Sequence, residues 1–368
     1  MTPLRVVVVG AGAVGCAIAA KLARRDCRVT VVDRGQPGGE ASGAAAGILG
    51  AGAECGEPGP LLDLCTHSLD LWPDFVVSLR QRVGFGCGWE TCGAIEVARD
   101  ADSAVALDRK GQLLAGVAAS LAPRWLDARE LRVRVPELAD DVCGGLLHPG
   151  DGQVEPALLA KALAIDAARC GAQFHCGQGA RALVVQHGHV TAVACDRETL
   201  QADAVVIAAG AWSQPLLAGL TLRTTVRPQR GQLALVEMEA PPLRPVLVWR
   251  GGYAVPRRDG RIVLGATADD AGFDKRVTAG GMLHLLAMAT AVMPALGEGQ
   301  LRDHWAGLRP MSADGLPLLG PHPEVAGLFL ATGHHRNGIL LVPATAQVVA
   351  QAVLQADTSV DLSPFLPA

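Results

Sequence analysis

The first residues of the chain that could do chemistry are glycines. Val6-Val7-Val8-Val9 runs into Gly10-Ala11-Gly12-Ala13-Val14-Gly15, and Val29-Thr30-Val31-Val32 ends on Asp33. Each residue type answers a need of a bound dinucleotide. Gly10 permits a tight turn after a strand, Gly12 lets backbone approach a pyrophosphate, and Gly15 lets the next helix pack close to the strand. That helix starts by pointing free N–H groups and partial positive charge at the phosphates. A carboxylate about 20 residues further on, here Asp33, suits the ribose hydroxyls. Asp33 would also repel a 2′-phosphate, which disfavours NADP. The motif alone does not separate NAD from FAD.

A second stretch follows at once. Gly38-Gly39-Glu40-Ala41-Ser42-Gly43-Ala44-Ala45-Ala46-Gly47-Ile48-Leu49-Gly50-Ala51-Gly52 is long and nearly free of side chains. A flexible linker is usually polar. This run is rich in alanine and ends on Ile48-Leu49, which suits a backbone lying flush against a flat ligand.

The elements that must hold these residues can be read from periodicity. The valine run is a strand buried on both faces, and Val14, Ile18 and Leu22 recur at helical spacing. Leu61 to Arg82 is a helix, and Pro156 sits in the first turn of another that reaches Arg169. Gly188 with Val190–Cys195 marks a hairpin, and Ala204–Ile207 is a second buried strand running into Gly210. Gln232–Met238, Val246–Trp249, Gly252–Pro256 and Arg261–Gly265 are strands, with Asp259-Gly260 as a hairpin turn. Met282–Met293 is helical. The chain closes with the strand Leu328–Thr332, a glycine turn from Gly333 to Gly338 and a helix over 339–354. The fold class is therefore α/β. A Rossmann-like domain (residues 1–85, 146–222 and 303–368) is interrupted by a smaller α+β substrate domain with an antiparallel sheet (residues 86–145 and 223–302).

Composition narrows the function. Half of the 368 residues are hydrophobic and 18% are charged, below the usual quarter, so the chain can bury a large core. Net charge is −4, with no basic cluster interleaved with aromatics, which argues against nucleic acid as a partner. No apolar run reaches the roughly 18 residues of a membrane span, and the N-terminus lacks a signal-peptide pattern. None of the ten cysteines forms a Cys-x-x-Cys pair or lies at zinc-finger spacing from a histidine. We therefore expect no metal, and reduced, mostly buried thiols in a cytoplasmic protein.

The motifs taken together resemble a known family. Gly10–Asp33, Ser42–Gly47, Ala204–Ser213, Trp305-Ala306-Gly307-Leu308-Arg309-Pro310 with Asp314-Gly315, and Gly333-His334-His335-Arg336-Asn337-Gly338-Ile339-Leu340 occur in this order. The chain is similar to the D-amino-acid oxidase superfamily of FAD-dependent oxidoreductases, and within it to the glycine oxidase branch tied to thiamine biosynthesis. The resemblance covers nearly the whole chain. It implies that FAD binds at Gly10, Gly12, Ala13, Val14, Gly15, Asp33, Arg34, Ala41, Ser42, Ala46, Gly47, Ile48 and Ala180, and along the loop His334, His335, Arg336, Asn337, Gly338, Ile339 and Leu340. It also implies that Arg309 grips a substrate carboxylate, that Tyr253, the only tyrosine, stands beside it, and that Arg336 lies at the substrate entrance or flavin edge. Met311 and Ser312 stand near where covalent sarcosine oxidases place a flavin-linked cysteine, so FAD is expected to be non-covalent.

The resemblance further implies oxidation of glycine or a small or N-substituted amino acid by hydride transfer to flavin N5. The products would be an oxo acid, ammonia or amine, and hydrogen peroxide formed from oxygen. The alternative is a dehydrogenase on the same fold that passes electrons to a quinone or partner protein. A homo-oligomer, often a tetramer, is implied as well. Three pocket positions depart from the branch: Ile48 and Ala268 replace methionines and Gly251 replaces a histidine. Small residues at 251 and 268 predict a site roomier than glycine alone requires.

Overall fold

The computed structural model describes residues 2–117, 121–239 and 243–368. One of its two main sheets has six strands. Arg5–Val9 lies at its centre between Arg28–Asp33 and Ala204–Ile207, all parallel. Gln173–Cys176 extends one side in parallel, and Leu328–Thr332 the other. Leu318–Pro321 closes that edge antiparallel. The central strand is buried at every valine, as its uninterrupted apolar run requires.

The helix Ala13–Ala23 leaves this strand through Gly10, whose φ of +109° no other residue type adopts cheaply. A Cβ on Gly15 would collide with the Gly10 carbonyl oxygen, so the glycine is what lets the helix lie against the turn. Helices Pro60–Val83, Pro156–Arg169 and Val342–Val353 pack with it into one apolar core, in which Trp72, Ile18 and Leu22 are fully buried.

A second sheet of eight strands carries the other half of the fold. Its order runs Gln300–Ser312, Val226–Glu237, Arg261–Gly265, Gly252–Pro256, Val246–Trp249, Ala94–Ala98, Gly144–His148 and Arg124–Asp127. All its pairs are antiparallel except Ala94–Ala98 with Val246–Trp249, which run parallel. The first two strands form a long ribbon that pairs from Val226 with Ser312 to Glu237 with Gln300. The periodicity reading placed the first strand at Gln232–Met238, its C-terminal half, and missed the second. Gln300–His304 is exposed throughout, with Leu301 its only apolar residue, so no alternation announces it.

The Ala-rich run is ordered locally. Ala41–Ala44 makes one helical turn, and Ile48–Leu49 pairs antiparallel with Gly152–Gln153. The glycine turn before the last helix contains a short 3-10 segment, His335–Asn337, and the α-helix begins at Val342. All ten cysteines are free. Cys16, Cys55, Cys65 and Cys87 are buried, five more are partly buried, and Cys143 is exposed. Among the described residues no helix is long and apolar enough to cross a membrane.

Candidate active site

A cavity of about 500 Å³ opens between the two sheets, within the size range of small-molecule sites. Its wall includes most of the residues singled out by sequence. Gly10, Gly12, Val14, Asp33 and Arg34 come from the first two strands and their turn. Ala41, Ser42, Ala46, Gly47 and Ile48 come from the Ala-rich run. Ala180, Tyr253, Arg309, His334, His335, Arg336, Gly338 and Ile339 complete the set.

Six expected residues stand off that wall. Ala13 donates its N–H to Ser42 Oγ at 2.9 Å, and Gly15 packs on Gly10. Leu340 faces the core, where its carbonyl accepts from Ser68 Oγ at 2.7 Å and Trp72 Nε1 at 2.9 Å. Asn337 is buried behind the loop, with its Oδ1 unpaired. Gly251 lies on the exposed hairpin turn after Trp249, at φ +92°, and Ala268 is exposed in the segment after Gly265. The expected roomier pocket is therefore not built by these two positions, because neither reaches the cavity.

The glycine turn is held from both sides. Asp33 Oδ2 accepts from the Ala11 N–H at 2.7 Å and Oδ1 from the Gly35 N–H at 2.7 Å. The carboxylate thus fastens the turn and keeps further lone pairs for hydroxyl donors. Gly12 occupies the N-cap position of the first helix without a side chain to cap it; Ser42 Oγ takes the Ala13 N–H, and the rest of the first turn is left to an anion. A Cβ on Gly12 would stand 3.1 Å from Ser42 Oγ and narrow the gap where a phosphate would lie. Nearby, the Arg34 guanidinium covers the Trp212 ring at 3.5 Å, and Trp212 stacks on Phe273 at 5.5 Å. These features fit the ADP end of a dinucleotide.

The Ala-rich backbone is held by a buried cation. Arg257, 8% exposed, donates Nη2 to the Ala46 carbonyl at 2.6 Å and Nη1 to Gln153 Oε1. Burial lowers its pKa to about 10, which still leaves it charged at neutral pH. On the opposite side Gly307 lets the long ribbon approach: its Cβ would meet that of Ala44 at 2.6 Å, and Trp305 Nε1 donates to the Ala44 carbonyl at 2.9 Å.

Two strand glycines shape the polar end. Tyr253 lies opposite Gly265, and its ring occupies the space a Cβ there would fill. The phenol is buried, and burial raises its pKa while the Arg309 charge opposes that rise. Arg309 lies across Gly231 and donates Nη1 to the Thr267 carbonyl at 3.0 Å. Four arginines line the cavity. Arg34 pairs with Glu40 at 2.8 Å, Arg181 with Asp196, and Arg336 with Glu54 at 3.1 Å. Arg309 has no carboxylate partner among the described residues, so its remaining donors are free for an anion from outside.

The two histidines are neutral. Burial lowers His334 to about 4, and burial with the nearby Arg309 and Arg336 charges lowers His335 to about 4. Their nitrogens are engaged with Thr345 Oγ1 at 3.1 Å and Gln229 Oε1 at 2.8 Å. His335 has φ +48°, so the loop bends there.

Sequence reasoning missed Gly231, Gly265, Glu54, Trp212 and Arg257. The two glycines serve partners across a strand, which no local pattern records. Glu54 did leave a signal: it is the first acid after the small-residue run that begins at Ala41.

A profile of the family described as DAO, FAD dependent oxidoreductase, matches residues 5–352. Glycine oxidase of Geobacillus kaustophilus is 38% identical over 98% of this chain and 95% of its own length. The crystal structure of glycine oxidase from Geobacillus kaustophilus superposes with a TM-score of 0.95 over 99% of both chains. Iminodiacetate oxidase from Chelativorans sp. BNC1, 29% identical, superposes at 0.90 over 99% of both.

Proposed function

The chain belongs to the FAD-dependent oxidoreductase family, and from that premise we propose which residues carry its reaction and on what substrate. It is an FAD-dependent amino-acid oxidase, similar over nearly its full length to glycine oxidases. We take its substrate to be glycine or a small N-substituted glycine, oxidised to an oxo acid with release of ammonia or amine. When bound, FAD supplies the two-electron acceptor, and oxygen regenerates it with formation of hydrogen peroxide.

The cofactor fits residues of known geometry. The helix start at Gly12, the Asp33 carboxylate, and the Ala41–Ile48 backbone backed by Arg257 would hold it. Arg309 receives the substrate carboxylate through the donors that Thr267 leaves free. Tyr253 directs its hydroxyl at the same group, and its ring, pressed on Gly265, cannot swing away. Together they fix the Cα hydrogen relative to the acceptor, and such orientation is a substantial part of what a protein adds to a cofactor's reaction. With pKa values near 4, His334 and His335 add no charge at neutral pH and shape the loop. Neither is assigned a base, since the chemistry requires only a neutral amine on the substrate. FAD is held non-covalently in this reading, with Met311 and Ser312 after Pro310. A cytoplasmic setting suits ten free cysteines. We assign the FAD-binding unit to residues 1–85, 146–222 and 303–368, and the substrate unit to 86–145 and 223–302.

The observation that carries the reading is Arg309, without a carboxylate partner among the described residues, beside Tyr253 in the cavity that also holds the glycine turn. The test is a peroxide assay of the holoenzyme with glycine, sarcosine, D-alanine, D-proline and bulkier N-substituted glycines. The expected result is peroxide equimolar with oxygen consumed. Dye reduction without peroxide would point instead to a dehydrogenase.

A further inference from the structure

Glu54 stands in the cavity wall with no part in the assignments above. Its side chain is 7% exposed, whereas that of its partner Arg336 is 48% exposed. The carboxylate is therefore sunk into the protein and the guanidinium faces the open cavity. Glu54 ends a single helical turn, Ala51–Glu54, that is unusually well fastened for its length. The buried Asp151 accepts from the Gly52 N–H at 3.1 Å and the Ala53 N–H at 2.8 Å. Lys110 Nζ donates to the Ala53 carbonyl at 2.9 Å and to Glu96 Oε1 at 2.6 Å, and His148 Nε2 meets the same Glu96 oxygen at 2.8 Å. A turn clamped at both its N–H groups and its carbonyl positions one side chain firmly, and that side chain is Glu54.

We propose that Glu54 is a specificity residue. By pairing with Arg336, it leaves Arg309 as the one cavity arginine without a carboxylate partner among the described residues, so the site admits substrates with one carboxylate and disfavours those with two. The proposal rests on the reading of Arg309 given above. Its physical basis is subtraction. A second guanidinium facing the cavity would welcome a second anion, and a buried carboxylate on that guanidinium both cancels its charge and takes up a donor. An incoming second carboxylate would meet a guanidinium whose charge Glu54 already cancels, and would lie beside the Glu54 carboxylate, which the clamped turn holds in place. One structural relative is an iminodiacetate oxidase, whose named substrate carries two carboxylates, so the fold accommodates either choice.

The test uses non-oxidisable probes, methoxyacetate with one carboxylate and diglycolate with two, titrated into the holoenzyme by calorimetry. The wild-type protein should bind methoxyacetate at least tenfold more tightly than diglycolate. Glu54→Gln should shift that preference at least tenfold toward diglycolate. The double variant Glu54→Gln with Arg336→Gln should return it to within about threefold of wild type, because the freed receiver is gone. A merely structural Glu54 would weaken both probes alike. That outcome, an unchanged preference in Glu54→Gln, a shift that survives in the double variant, or a wild-type protein that favours diglycolate or binds neither probe would overturn the proposal. Failure of the oxidase reading shows separately, as no peroxide from wild-type holoenzyme with glycine or sarcosine.

Discussion

The Arg309 guanidinium lies across the bare backbone of Gly231 on the neighbouring strand. A methyl group built on Gly231 would stand 2.5 Å from Nη1 and 2.7 Å from Cζ. The two residues are not direct partners in the ribbon, since Gly231 pairs with Gly307 and Arg309 with Gln229. The arginine reaches diagonally over the glycine to Thr267. Gly231→Ala should therefore displace the guanidinium while leaving the strand intact. We expect KM for glycine to rise about tenfold or more, with FAD content unchanged in the absorption spectrum. An unaltered KM would mean that the guanidinium position does not matter to binding.

Arg257 gives a prediction about the cofactor. Arg257→Met would leave the Ala46 carbonyl and Gln153 Oε1 without their donor in a buried place, at about 1–3 kcal/mol for each orphaned group. Because Ala46 lies on the cavity wall, the loss should appear twice, as a lower Tm and as a weaker Kd for FAD in reconstitution. Loss of Tm with full FAD affinity would separate the arginine from the site.

His334 predicts a pH dependence. Its folded pKa of about 4 lies below the ordinary value of 6.5, so the unfolded chain binds the proton more readily. The stability tied to the neutral ring is complete above pH 6.5 and is lost as pH falls toward 4. His335 is shifted the same way. His334→Gln, which can still bond Thr345, should remove on the order of 2–3 kcal/mol of the acid-induced loss between pH 6.5 and 4. Chemical denaturation at several pH values would show it, and parallel curves for wild type and variant would exclude it.

Non-covalent FAD predicts that acid precipitation leaves the yellow colour in the supernatant. Colour retained in the protein pellet would contradict it.

Much of this was legible in residue order, and the failures have a common cause. The buried valine run, the turn at Gly10 and the helix from Ala13 follow from local sterics and period, and they appear where the sequence puts them. Helices Pro60–Val83 and Pro156–Arg169 match within a residue or two for the same reason. Arg309 and Tyr253 were singled out through their motifs, and both line the cavity. The space each requires was not, because Gly231 and Gly265 are glycines only for the sake of side chains on other strands. Gly251 and Ala268 mislead in the opposite sense. Their small size invites a pocket, yet one lies on an exposed hairpin turn and the other in an exposed loop. Glu54 was invisible as a partner of Arg336 because 282 residues separate them.

The central claim is that Arg309 receives the substrate carboxylate of an FAD-dependent oxidase. Two charged hydrogen bonds are worth about 3 kcal/mol or more together, a factor of a hundred or more in binding. The direct measurement is kcat/KM for glycine, from peroxide release, in wild type and Arg309→Met at matched FAD content. The account predicts a loss of at least a hundredfold, and equal kcat/KM in the two proteins would contradict it.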